Sequence, residues 1–477
     1  MVFPRGVRAL LSAALVVVPL VSATAAVPAA ANPVISSVAP DPSVLRGADG
    51  AFHVYGSSDD WSDGAGYRLI PHFRSFDLVE WEYVGDAFAE RPAWAQPGSF
   101  LWAPDVHPTD SGAVMYYTTD GQLPCIGRAT APGPEGPWAH DDEPIVCFGA
   151  DAPYQDLDPM DPEVVLTEDG PVMFMGNFEG IHAVPMTADG TALRGDPELV
   201  AGPGVEAPAI VTRAGRTHLF TSAGLCCDGE ASQYRVLAGR ADDLMGPYED
   251  STGRPLLEAE SGDVVLRGDD DWVGPGHVDV VTDDAGTDWM LYHAAPRGSA
   301  VLPNGVQRRY MMADRIDWVD GWPRVGDGTP SSTRPTDPVV DLPVRLTAAG
   351  DVVTHNREHL VDAPVRVEST GTPYSGALRA TITGPDASRT ALAIATEDGD
   401  VGSVPVSVGA GQGVDRTLAL RTAGPLTPGN HELVISVEDE DGWIRELAVF
   451  GLNVAADGSL PMGSGALGSA SLGSLGG

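Results

Sequence analysis

The chain has 477 residues, 43% of them apolar and 20% charged, enough for two or three domains with a large core. Its 28 cationic side chains are all arginine, so chemistry that needs a lysine amine is excluded, Schiff-base formation and the phosphate-binding P-loop among it. The 67 acidic residues give a formal charge of −39, which repels nucleic acid and anionic membrane and favours a neutral partner.

In chain order, residues 1–31 read as a secretory signal peptide. Arg5 and Arg8 precede an apolar run, Ala9 to Val21, that is too short to span a bilayer, and small residues lead up to Ala31. The expected location is therefore extracellular, with no membrane partner. Residues 32–328 are short alternating runs between Gly, Pro and Asp turns, with almost no helical periodicity. A ten-residue frame ending in glycine recurs five times: Asp41 to Gly50, Ala103 to Gly112, Asp161 to Gly170, Glu206 to Gly215 and His277 to Gly286. Each glycine is followed by an apolar alternating stretch (AFHVYGS, AVMYYTT, PVMFMGN, RTHLFTS, TDWMLYHA). The glycines are about 59 residues apart on average, the size of one four-stranded propeller blade. The fold class predicted is all-β: a five-bladed β-propeller in which the frame starts gather at one channel mouth.

The four cysteines allow three pairings. Cys125 and Cys147 flank one hairpin-like segment, which favours that bond; adjacent Cys226 and Cys227 form a vicinal disulfide or stay reduced. Residues 329–338 read as a linker. Residues 339–455 hold seven short strands and predict an immunoglobulin-like β-sandwich, accessory rather than sugar-binding because its aromatics are few. Residues 456–477 are rich in Gly, Ser and Leu and are expected to be disordered.

Glycosidic cleavage needs one protonated and one ionised carboxyl across a cavity. Asp41, Asp161 and Glu206 supply three carboxyls at frame starts. A short Asp held back from the sugar leaves room for a water, a Glu reaches the leaving oxygen, and a third carboxyl raises the acid's pKa by like-charge repulsion. This assigns Asp41 as base, Glu206 as acid and Asp161 as modulator.

The segments APDPSV (39–44), SFDLVEW (75–81), LWAPDVH (101–107), MDPEVV (160–165), VEAPAI (205–210), GPGH (274–277) and RRYMMADRIDWVDGWPRV (308–325) together resemble glycoside hydrolase family 43, the five-bladed arabinosidases and xylosidases. The resemblance implies an inverting mechanism with the roles just given. It further implies that His277 lies at the channel floor holding a water or a calcium ion, that Arg309 contacts the sugar and the acid, and that Trp102 forms an aromatic wall. No cofactor is required; calcium is the one metal admitted, at His277. The run CCDGEASQYRVLAGRADDLMGPY (226–248) resembles arabinan-degrading members, although Val-Asp follows His277 where Asn-Ser is common. The expected activity is cleavage of α-L-arabinofuranosyl linkages in arabinan or its oligosaccharides by a monomeric enzyme. A β-xylosidase or other furanosidase of the family is the alternative within the class. A propeller that binds carbohydrate without turnover is the alternative outside it.

Overall fold

The computed structural model describes residues 32–333, apart from 48–49, 110 and 122, and then 337–340, 344–350, 353–355, 360–370, 373–383, 389–396, 399–421, 428–438, 444–454 and 466–470. The predicted signal peptide lies outside the described residues. The described chain is all-β, with one short 3-10 turn at Gly229–Ala231.

Five antiparallel sheets follow one another along residues 35–325. The first strands of the five blades are Ser43–Arg46, Leu101–Thr109, Glu163–Thr167, Val205–Arg213 and Trp272–Thr282. Each is followed by its frame glycine, and Gly50, Gly112, Gly170, Gly215 and Gly286 all have φ between 75° and 143°, the left-handed region that a side chain resists. The apolar stretches become the second strands, Phe52–Tyr55, Gly112–Thr119, Gly170–Met175, Arg216–Ala223 and Asp288–Pro296. These are almost wholly buried, since both of their faces pack against neighbouring blades. Cys125 and Cys147 are directly paired across two strands of the second blade and joined by a disulfide, as the hairpin reading expected.

The ring closes with a strand from its far end. Ile35–Val38 pairs antiparallel with Tyr310–Val319 and completes the fifth blade. A polar clasp fixes the closure: Asn32 Nδ2 donates to Asp314 Oδ2 at 3.0 Å, the Ala313 amide donates to Asn32 Oδ1 at 2.9 Å, and Ser331 Oγ donates to Asp314. Buried hydrogen bonds of this kind specify one register. The chain leaving the ring stays on its surface, with Val339 hydrogen-bonded to Asp283 and Asp284.

Past residue 343 the described strands form two six-stranded antiparallel sheets. Their inner faces share one apolar core that includes Leu346, Val365, Leu378, Leu420, Ile435 and Phe450. Most of the segment expected to be disordered lies outside the described residues. Within it, Ala466–Ala470 pairs antiparallel with Ile444–Val454.

Candidate active site

The frames meet at one end of the ring. Asp41, Ala103, Asp161 and His277 all adopt φ of 45–54°, and in the fourth frame that conformation falls on Ala207. The fourth frame is thus one residue shorter between its left-handed residue and its glycine. Glu206 occupies the position before it, which is Trp102 in the second blade.

The left-handed residues are held by a repeated bond. The Ala103 amide donates to Ser57 Oγ (2.7 Å), Asp161 to Thr118 Oγ1 (3.0 Å) and His277 to Ser222 Oγ (2.8 Å), and the Asp41 amide lies 3.3 Å from His293 Nδ1. Every acceptor stands two residues beyond the cross-strand partner of the third frame position, as in the pairs Ser43 with Tyr55 and Asp279 with Leu291. In the third blade that place is Gly176, which offers no side chain. There the Ala207 amide instead hydrogen-bonds the Asp161 carboxyl, which draws Asp161 toward Glu206.

A cavity of about 290 Å³ opens over these residues and is lined by Asp41, Asp161 and Glu206 together with Trp102, His277 and Arg309. All six side chains predicted from the sequence therefore share one space. Asp41 Oδ2 accepts from Ser57 Oγ at 2.5 Å, and Arg309 Nη1 lies 3.1 and 3.3 Å from the two carboxylate oxygens. His277 Nδ1 and His293 Nδ1 stand 3.3 and 3.1 Å from Asp41 Oδ1. The His293 nitrogen serves either the Asp41 amide or its carboxylate, according to the tautomer. Burial alone would raise the Asp41 carboxyl, but Arg309, His277 and His293 outweigh it and hold it well below the ordinary range. Burial also pulls His277 down to about 4 against the attraction of Asp41, so that imidazole is neutral at neutral pH. Arg309, whose charge is permanent, therefore carries the ionic part of the stabilisation, and the imidazoles act as hydrogen-bonding groups.

Glu206 behaves in the opposite way. Burial raises its carboxyl to about 7; a hydrogen bond from the Tyr234 hydroxyl opposes the rise and the negative charge of Asp41 adds to it. Asp161 is pushed well above the carboxylate range by burial, then by Glu206 and Asp41. Burial favours the protonated form of Asp161 and Glu206, while Arg309 and the imidazoles favour the ionised form of Asp41. One cavity thus holds an ionised carboxylate and a protonated one, the division of labour that acid–base cleavage requires.

The direct partner of Arg309 is Asp41, with Asp59 Oδ2 at 3.6 Å; Glu206, the contact expected from the sequence, feels Arg309 through its field. Calcium takes six to eight oxygen donors. Around His277 stand a second imidazole and one carboxylate already engaged by Arg309 and Ser57, and among the described residues no group of three or more His, Cys, Asp or Glu is arranged for a metal. These side chains do not fit a protein-held calcium, and no step below uses one.

Sequence reasoning missed Tyr234, His293, Ser57 and Asp59. Tyr234 stacks on His293 with ring centroids 5.7 Å apart, which ties the surroundings of Glu206 to those of Asp41. Asp59 lines the cavity, and burial, opposed by Arg309, raises it to about 6. Trp102 stacks on Phe100 (5.9 Å, 7°), which in turn meets Tyr67 (4.6 Å), so the expected aromatic wall is a row of three rings.

Comparison with known proteins agrees with this geometry. The extracellular exo-α-(1→5)-L-arabinofuranosidase ArbA of Cellvibrio japonicus is 28% identical over 305 residues, covering 56% of this chain and 84% of its own length. The extracellular endo-α-(1→5)-L-arabinanase 1 of Bacillus subtilis is 27% identical, covering 54% and 79%. Among solved structures, the Cellvibrio cellulosa α-L-arabinanase superposes with a TM-score of 0.53 at 25% identity, over 61% of this chain and 95% of that one. The endo-1,5-α-L-arabinanase of Thermotoga petrophila, at 16% identity, shares the fold over 92% of this chain with a TM-score of 0.52. The family model for glycosyl hydrolases family 43 matches residues 30–323, and the chain belongs to that family of glycoside hydrolases.

Proposed function

We propose that this protein is a secreted, inverting hydrolase of α-L-arabinofuranosyl linkages in arabinan and its oligosaccharides. The observation that carries the reading is the convergence of Asp41, Asp161 and Glu206 on one cavity, where Arg309 favours the ionised form of Asp41 and burial the protonated form of Glu206. Ionised Asp41 takes a proton from a water as that water attacks the anomeric carbon. Glu206 gives its proton to the departing glycosidic oxygen, and the C–O bond breaks with inversion at the anomeric centre. The cycle leaves Asp41 protonated and Glu206 ionised, and exchange with solvent restores both. Asp161 keeps the proton on the pair until it is needed, and Trp102 packs against the sugar.

Arabinan as substrate is supported by the two relatives named for 1,5-linked arabinan and by a related arabinanase solved with arabinohexaose. Secretion is supported by the composition of residues 1–31, by two disulfides and by relatives named extracellular. The monomeric state and an immunoglobulin-like connectivity for the C-terminal sheets belong to the same reading.

The test is chromatography of products from linear arabinan, with proton NMR of the first anomer released. The wild type releases arabinose or short oligomers with inverted configuration. Asp41→Asn lowers kcat by about 10²–10⁴, the usual worth of a general base, while its melting temperature stays near that of the wild type. Binding of arabinan without product from the wild type overturns hydrolysis in favour of a binding propeller.

A further inference from the structure

Cys226 and Cys227 are bonded to each other, and both line the catalytic cavity. The hydrolysis described above gives them no task. Their segment joins Arg216–Ala223, which pairs with the strand carrying Glu206, to Arg235–Ala241, the next strand of the same blade. Ser222, at the end of the first, is the cross-strand partner of Glu206, and Tyr234, just before the second, hydrogen-bonds its carboxyl. The disulfide therefore sits in the same blade as Glu206, on the connection that follows the strand paired to it, whereas Tyr67, Phe100 and Trp102 belong to the first two blades.

The segment is pinned. Gln307 Nε2 donates to the Cys227 carbonyl at 3.3 Å, Ser232 Oγ donates to the Leu225 carbonyl at 2.9 Å, and the Ala300 amide donates to Glu230 Oε1 at 3.0 Å. Gly274 lies against it without a side chain; a Cβ there would meet Ser232 Oγ at 2.3 Å. Joining adjacent residues closes no loop of chain, so the bond removes little entropy from the unfolded state. Its distinguishing effect is chemical: it replaces two thiols by an apolar, polarisable surface without a donor, in a cavity it shares with the carboxyls of Asp41, Asp161 and Glu206 and the Arg309 guanidinium.

Resting on the arabinan reading, we propose that the Cys226–Cys227 disulfide is a specificity-determining contact for the sugar unit on the leaving-group side, packing against the C–H face of its ring. The test compares KM and kcat on linear arabino-oligosaccharides for the wild type, Cys226→Ser/Cys227→Ser, Cys125→Ser/Cys147→Ser, and wild type reduced with a phosphine and alkylated. Loss of roughly 40 Å² of apolar contact predicts a KM about fivefold higher for the 226/227 variant, with kcat within about twofold. The 125/147 variant, whose bond lies outside the cavity, keeps the wild-type KM. A purely structural role would lower kcat and thermal stability with KM unmoved, and that result overturns the proposal. So does the mass of a native enzyme carrying free thiols at 226 and 227. If the double variant fails to fold, the reduced and alkylated wild type decides by the same KM criterion. A wild type inactive on every arabinan overturns the functional reading instead, so the two failures are separable.

Discussion

Replacing Tyr234 by Phe should extend activity toward alkaline pH. The Tyr234 hydroxyl donates to the Glu206 carboxyl and favours its ionised form, opposing the burial that raises the group to about 7. A hydrogen bond to a buried charge contributes about 1.5 kcal/mol at the low end, and 1.36 kcal/mol corresponds to one pKa unit, so the variant's acid should titrate near ~8. The proton-bearing form is the active one, and its population then persists to higher pH. At pH 9 the variant should keep on the order of ten times more of its own plateau activity than the wild type keeps. The ring, stacked on His293, stays in place, and the change removes only the oxygen. The assay is kcat/KM for arabinotriose between pH 4 and 10, read by product chromatography, because an activated aryl leaving group would bypass the acid. The alkaline midpoint belongs to the Glu206–Asp161 pair as a whole. A midpoint that stays put, or moves to lower pH, refutes the assignment of Glu206 as the proton donor and of Tyr234 as its regulator.

Arg309→Met removes the charge that holds Asp41 low and also restrains Glu206, so both limbs of the pH profile should move to higher pH. At the acid end kcat/KM should fall at least about tenfold, with Arg309→Lys keeping the acid limb nearer its original position. Lower in the channel, burial and the charges of Asp105 and Asp279 raise Glu163 well above its ordinary value, while its Oε1 accepts the Ile210 amide at 2.9 Å. Stability from a carboxyl raised on folding is present below its unfolded pKa and lost as pH rises through the folded one. Glu163→Gln keeps the acceptor and removes that loss. Its melting temperature should exceed that of the wild type by about 2–4 °C at pH 8, and calorimetry at pH 4 should find no gain.

Much of the ring was legible in the sequence because each blade repeats one local solution, a left-handed residue and a turn glycine bracketing a short strand. The carboxyls were legible for the same reason. The fourth frame shows where counting stops helping. Its one-residue contraction sets Glu206 in the place that Trp102 holds in the second blade, although the count from Gly215 puts it level with Asp41. The second layer of the site was hidden differently. Ser57, Thr118, Ser222 and His293 close the apolar stretches at equivalent positions, yet their chemistry is spent on the neighbouring blade's backbone. The polar ending of those stretches was the available signal, and Gly176 is its exception. Tyr234 stands in an irregular segment with no counterpart in other blades, so repetition says nothing about it.

The seam at which the polypeptide circle is joined runs straight into the catalytic centre. Val34 and Ala39 donate their amides to the carbonyls of Met311 and Arg309, and two residues past Ala39 stands Asp41, whose carboxylate grips the Arg309 side chain. The weld between the start and the end of the ring and the Arg309–Asp41 ion pair are neighbours along the same stretch of chain. Loosening the weld, for example by loss of the Asn32 carboxamide that clasps Asp314 and Ala313, is expected to weaken the grip of Arg309 on Asp41 and to lower turnover. Catalysis in this molecule doubles as a gauge of whether the circle is shut.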